Sequence, residues 1–457
     1  MDKCKGCTTC LKRCPTEAIR IRNNRASILN ERCIDCGECI KVCANHAKVA
    51  VTDPLESIKR FKYPIALPAP TLYAQFQGVH QPEPIIASLF RLGFVDVFEV
   101  ARAAEIVSYA ISRAMREEDR PKPVISSACP AILRLIQVSF PALLDNVFDF
   151  VSPMEAAAKI AKEEYAQKHG VDKADVGVFF ITPCAAKMTA VKSPVGQEKS
   201  HVDGVIAIKD VYAQMRAAMK QGFSPLEIDR ASVVGIKWAI PGGEAEAVGI
   251  KSSLCVDGID NVINVLEAIE DARFRNLTYF EGLACVNGCL GGPLTVENSF
   301  VAKNRLRSVM NRTPQKTVQR REIFEDAVQT LRMTRPIEPS DALQLSGTMK
   351  ERIEREERIE RLTMGLPGLD CGSCGSPSCR ALAEDIVNGY ANELNCVFRL
   401  NDRINSLAAE MLTLGTSTRY TTGEDMARLR RLHDELSRSE PSEAPDGGAD
   451  DDGGDST

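Results

Sequence analysis

The stretch Val176-Gly-Val-Phe-Phe-Ile-Thr-Pro-Cys-Ala-Ala-Lys187 decides the fold class. It opens with an apolar run short enough for one strand, and Pro183 then turns the chain into Cys184. Similar runs occur at Val124 to Ser126, Val205 to Ile208 and Val233 to Ile240, separated by helical patterns such as Pro153 to Lys168. That alternation predicts an α/β domain over residues 60–345. Two more cysteines follow apolar runs, in Val124-Ile-Ser-Ser-Ala-Cys-Pro130 and Tyr279-Phe-Glu-Gly-Leu-Ala-Cys285. The ends of strands in such a sheet are where sites are commonly built.

Composition narrows the class. The chain has 457 residues, 17 cysteines, 57 Lys plus Arg against 62 Asp plus Glu, and a net charge of −5. This cysteine density excludes a disulfide-stapled mini-protein, and 44% hydrophobic content excludes a mostly disordered chain. No global basic charge predicts nucleic-acid binding, and no apolar run approaches the ~18 residues of a membrane span. The start, MDKCKGCTTCLKRCP, has no apolar signal core. A cytoplasmic, reducing location is expected, where cysteine clusters mean metal or redox chemistry.

Eight cysteines precede residue 44, five lie between 129 and 289, and four between 371 and 396. In the first group Cys4, Cys7, Cys10 and Cys14 recur after a shift of 29 as Cys33, Cys36, Cys39 and Cys43. Ala18 to Arg22 and Ala26 to Leu29 read as short strands about an Asn23-Asn24 turn, so residues 1–55 form a two-fold module. Each half reads C-x2-C-x2-C-x3-C, the pattern of two-cluster bacterial ferredoxins, although Ala44 stands where the first half has Pro15. On that pattern Cys4, Cys7, Cys10 and Cys43 hold one 4Fe-4S cluster and Cys33, Cys36, Cys39 and Cys14 the other. Alternatives are a zinc site, which needs no third cysteine at this pitch, and a redox dithiol, which needs only two.

Further on, Lys350 to Arg361 places acidic and basic residues in i,i+4 order and reads as a solvated helical spacer over 346–365. Cys371, Cys374, Cys379 and Cys396 then follow as C-x2-C-x4-C-x16-C. This resembles a small 4Fe-4S domain of membrane electron-transfer complexes and corrinoid proteins, here over 366–400, with a zinc knuckle as the alternative. Gly372 and Gly375 would let the chain curl, and helical character from Ala381 to Asn395 would return Cys396 to the group. Residues 401–457 read as a helix over Leu400 to Leu414 and a disordered acidic tail.

The middle cysteines Cys129, Cys184, Cys285 and Cys289 are too far apart to meet locally, and four buried thiols acting as small hydrophobes are the plain alternative. The residues around them nevertheless resemble the iron-only (di-iron) hydrogenases over about residues 1–345. That family carries T-S-C-C-P, M-P-C-x-x-K-x-x-E and E-x-M-A-C-x-x-G-C-x-x-G-G-G. This chain has Ser126-Ser-Ala-Cys-Pro130, Thr182-Pro-Cys-Ala-Ala-Lys-Met-Thr-Ala190 and Glu281-Gly-Leu-Ala-Cys-Val-Asn-Gly-Cys-Leu-Gly-Gly-Pro293. The resemblance implies a two-lobed catalytic domain in which these four cysteines hold a 4Fe-4S cube. Cys289 would also bridge to a di-iron subcluster bearing carbonyl and cyanide, Lys187 would donate to a cyanide, and Pro183 would border the group. Pro68-Ala-Pro-Thr71 resembles the pocket wall.

Three departures touch proton supply. Ala128 replaces the first cysteine of T-S-C-C-P, Ala190 the glutamate of the second signature, and Leu283 the pocket methionine. An alanine methyl offers no titratable group, so the proton step is expected to slow about 10²-fold or more. The chain is thus expected to oxidise hydrogen reversibly but slowly, with electrons leaving to a ferredoxin or another electron-transfer subunit. The extra C-terminal cluster resembles sensory or slow branches of the family, so the alternatives are a hydrogen or redox sensor signalling to a separate protein, or an iron-sulfur assembly factor without di-iron chemistry. Sixteen cysteines enter these groups, leaving Cys255 as a core thiol; the five histidines show no metal-binding spacing.

Overall fold

The Asn23-Asn24 turn, with both residues at positive φ, joins β1 (Ile19–Arg22) to β2 (Arg25–Ile28) as an antiparallel pair. After it come β3 (Tyr63–Pro68), β4 (Asp96–Val97), β5 (Val124–Ile125), β6 (Val176–Thr182), β7 (Gly204–Ala207), β8 (Ser253–Asp257) and β9 (Tyr279–Leu283). They form two parallel sheets, ordered β4-β3-β6-β7 and β5-β9-β8. These are features of a computed structural model that describes residues 3–222, 228–315, 327–343, 347–417 and 423–437. The chain divides into two units, Met1–Gln344 and Leu345–Thr457. The acidic tail expected beyond residue 438 lies outside the described residues.

Every residue of β6 is buried, and its alternation explains why. Val176, Val178 and Phe180 enter one core with Met154, Ala157 and Ala158 of the helix Pro153–His169. Phe179 and Ile181 point the other way, into a core with Ile85, Leu89 and Met215. A strand covered on both faces needs no polar alternation. The β5-β9-β8 sheet builds a third core, where Phe280 and Ile125 meet Ile132, Val262 and Leu266. The run from Val233 to Ile240 is not a strand: Val233–Ile236 is helical and Lys237–Ala239 a 3-10 turn, started by the Ser232 hydroxyl accepting from the Val234 N–H. A short buried apolar run has no period that separates helix from strand.

In the second unit, the helix Met349–Gly365 starts with a capping box between Thr348 and Glu351. Most of this helix is exposed, as a solvated spacer would be, but it is anchored near its C-terminal end: Ile359, with Leu366 just beyond the helix, packs with Leu382 and Cys396, and Arg380 of the helix Cys379–Val387 pairs with Glu356. One buried side chain among so many charges gives the sequence no apolar period to read. Among the described residues no helix is long and apolar enough to cross a membrane. Ile359→Ala is therefore expected to cost about 2–5 kcal/mol and to speed hydrogen exchange at the amides of Cys379–Val387. A free spacer would leave their exchange unchanged.

Candidate functional site

Residues that follow β3, β5, β6 and β9 line a common cavity of about 110 Å³. Cys129, Cys184, Cys285 and Cys289 all face it, with Ala69, Pro70 and Thr71 on one side and Pro183 and Lys187 on another. The Cys289 loop is held against the Cys184 loop by close backbone approach. A Cβ on Gly292 would lie 2.3 Å from the Pro183 carbonyl oxygen, which also accepts from the Leu294 N–H at 3.0 Å. Backbone N–H groups of Ala186 and Lys187 point at the Cys184 thiol, and Lys187 Nζ donates to the Ala128 carbonyl at 3.1 Å.

The donor set asks for a cationic occupant. Burial pushes the thiols of Cys184, Cys285 and Cys289 up, and the charges of the neighbouring cysteines push the same way. Four thiolates lining so small a space repel one another unless a positive centre binds them. The Thr71 hydroxyl is fully buried, lines the cavity and has no hydrogen-bond partner among the described residues. An unpaired buried hydroxyl costs about 1–3 kcal/mol, which a polar occupant would recover. These residues therefore fit an iron-sulfur group with polar ligands.

The N-terminal module reaches this cavity. Cys36 lines it, and Gly37, at φ +80°, passes so close to Pro293 that a Cβ would lie 2.5 Å from the proline ring. Lys41 pairs with Glu38 at 2.9 Å and hydrogen-bonds the Cys285 thiol. Within the module the repeat is exchanged between halves: Cys10 feels the charges of Cys7, Cys43 and Cys4, whereas Cys33 and Cys36 feel those of Cys14 and Cys39. The N–H groups of Ala18 and Ala47 donate to Cys14 and Cys43 at 3.2 and 3.3 Å, equivalent contacts one repeat apart. In the second unit Cys371, Cys374, Cys379 and Cys396 line a cavity of about 20 Å³, with Gly372 and Gly375 at φ +77° and +78°. Among the described residues no three His, Cys, Asp or Glu side chains converge tightly enough for a single ion.

Sequence reasoning missed the buried carboxylates. Glu244 and Glu281 also line the central cavity and are 3% and 2% exposed. Glu244 accepts from the Ser126 hydroxyl at 2.7 Å and from the Tyr279 hydroxyl at 2.7 Å. Glu281 accepts from the N–H groups of Gly242 and Ala245 at 3.0 and 2.8 Å. Burial raises both carboxyls above the ordinary range, and the charge of Glu281 raises Glu244 further. Cys255 is not an ordinary core thiol: it stands opposite Glu281 in the β8–β9 register and hydrogen-bonds its carboxylate. β8 is an edge strand of its sheet, and Cys255 is partly exposed. The only sequence signal was Glu281 at the head of its motif; Glu244 sits on the short helix Gly243–Val248 with no motif of its own.

Ala128 and Ala190 border a second, smaller cavity of about 40 Å³, together with Ser127, Lys187 and Glu155. That is room for an ordered water among polar neighbours. Glu155 is already engaged, accepting from the Ser200 hydroxyl at 2.5 Å and the His201 N–H at 2.9 Å.

Residues 62–293, just over half of the chain, match the family described as iron only hydrogenase large subunit, C-terminal domain. Residues 1–44 match a 4Fe-4S dicluster domain and residues 366–398 an Fe-S cluster family. The chain is 24% identical over 369 residues to the NADP-reducing hydrogenase subunit HndD of Solidesulfovibrio fructosivorans, covering 64% of this chain and 63% of that protein, so it spans less than two thirds of HndD. It is 24% identical over 142 residues to a cytosolic Fe-S cluster assembly factor NAR1 homolog of Schizosaccharomyces japonicus, covering 31% of this chain and 27% of that one. A solved variant of the FeFe-hydrogenase HydA1 from Chlamydomonas reinhardtii has 14% identity and a TM-score of 0.47, over 62% of this chain and 94% of that one.

The raised carboxyls imply a pH dependence. Each holds its proton more tightly folded than unfolded, so its stabilising contribution is full below the ordinary glutamate range and is lost as pH rises through the folded value. Urea midpoints of the cluster-free chain should therefore fall from about pH 5 to 8, and Glu244→Gln should flatten that fall. An unchanged slope would mean that Glu244 is not protonated in the fold.

Proposed function

Because the chain belongs to the iron-only hydrogenase large-subunit family, we propose that it interconverts hydrogen with protons and electrons at a six-iron group in the central cavity, at an attenuated rate. The supporting observation is a single cavity lined by Cys129, Cys184, Cys285 and Cys289, with an unpaired Thr71 hydroxyl and two carboxyls in its wall. The four cysteines would hold a 4Fe-4S cube, and Cys289, Lys187 and Pro183 would hold a di-iron subcluster beside it. Once bound, the group would supply the place where hydrogen is split and the first acceptor of its electrons.

The chain's own residues govern what enters and leaves. Glu244 accepts a proton at its carboxylate, oriented by Ser126 and Tyr279. Glu281 is its neighbour in the cavity wall, and the Cys255 thiol carries the route to the sheet edge. A carboxyl whose pKa is lifted toward neutrality is suited to take and return protons. This path would replace the carriers absent at Ala128 and Ala190. Electrons would pass to the N-terminal module, whose cysteines would hold two further 4Fe-4S clusters, and Lys41 at Cys285 would favour the reduced, more negative state of the central cube. Cys371, Cys374, Cys379 and Cys396 would hold the fourth. The methyls at Ala128 and Ala190 favour a second reading, a sensor in which hydrogen binds and the change of redox state is read by a partner protein rather than turned over.

Carbonyl and cyanide infrared bands are expected on anaerobically matured protein; cubes without bands would make the chain a cluster protein without di-iron chemistry. Glu281→Gln should keep the bands and lower hydrogen uptake about 10²-fold, and unchanged uptake would rule out the carboxylate route. Ala128→Cys should raise turnover at equal di-iron occupancy. If it does not, the limiting proton step lies elsewhere.

A further inference from the structure

The helix Val397–Ser417 begins one residue after Cys396 and carries Val397, Leu400, Ile404, Leu407, Met411 and Leu414. Their alternating steps of three and four make an a/d seam through almost three heptads. All six are exposed, from 39% at Leu400 to 63% at Leu414. A continuous row of large apolar side chains on a water-facing helix marks a contact surface rather than scattered surface apolarity. The helix Gly423–Ser437 packs beside this one. The partly covered positions, however, are Asn405, Ala408 and Leu412, about 100° round the helix from the seam.

We propose that the seam is an interface between two copies of this chain, arranged antiparallel about a two-fold axis between Asn405 and Ser406. In that register Val397 meets Leu414, Leu400 meets Met411 and Ile404 meets Leu407, each contact occurring twice, so every seam residue is covered. Charge selects the occupant and its direction. Arg403 and Glu410 hold the same flanking heptad position, and in the antiparallel pair each faces the other's counterpart on the second copy. A parallel pair would set Arg403 against Ala408 and Glu410 against Gly415, with no ion pair at all. Within one chain the two heads are 3.8 Å apart and 53% and 60% exposed, so both can reach a second copy. The antiparallel arrangement puts the two Cys396 positions about 30 Å apart along the paired helices. The C-terminal cysteine groups would then sit at opposite ends of the interface.

Light scattering coupled to size-exclusion chromatography of the full-length, anaerobically matured protein tests this. A dimer is expected, and Ile404→Glu with Leu407→Glu should give a monomer whose helix content and cluster absorption are unchanged. Arg403→Glu should weaken association about tenfold, and adding Glu410→Arg to it should restore the dimer. A wild-type monomer at every concentration would overturn the proposal, as would a dimer untouched by the seam substitutions. Weakening by Arg403→Glu that Glu410→Arg does not rescue would overturn the antiparallel register.

Discussion

Four sulfurs that repel one another when ionised share a small cavity at the ends of two parallel sheets. Burial alone keeps the thiols of Cys184, Cys285 and Cys289 protonated, and only an occupant that binds sulfur can hold them ionised. Thiolates can sit together there only around a positive centre, so the geometry of β3, β5, β6 and β9 and the chemistry of the occupant are a single constraint. The supporting features follow from it. Gly292 lets two cysteine loops touch, Lys187 and Lys41 bring positive charge to the rim, and Thr71 keeps a hydroxyl without a partner in the wall.

Protons impose the second constraint. Alanine at 128 leaves no titratable atom where the central cavity meets the smaller one, and alanine at 190 leaves none in the smaller one, while Glu244 and Glu281 stand in the central wall with their protons held by burial. A buried carboxyl pair is costly to a fold. Its hydrogen bonds to Ser126, Tyr279 and two backbone N–H groups offset part of that cost, and a pair so well supported and so close to the cavity is a proton-handling candidate.

Much of this was legible in the sequence. The Val176 to Thr182 run and its helical neighbours announced an α/β fold, and the three motifs named the cysteines that line the central cavity. What escaped was carried by tertiary contacts. Glu244 lies on a short helix with no periodic signal, and only the fold brings it to Ser126 and Tyr279. Cys255 had no motif partner because its partner, Glu281, is a cross-strand neighbour rather than a sequence neighbour. The anchoring of the helix Met349–Gly365 was not legible because Ile359 is its one buried residue, and Val233 to Ile240 looked like a strand because apolarity over so few residues carries no period.

The central claim is that one iron assembly occupies the space between Cys129, Cys184, Cys285 and Cys289. Anomalous diffraction at the iron edge from crystals of matured protein tests it most directly. The account predicts strong density among those four sulfurs, extending past Cys289 toward Lys187 and Thr71. Iron found only beside the N-terminal and C-terminal cysteines, with none in the central cavity, would contradict it.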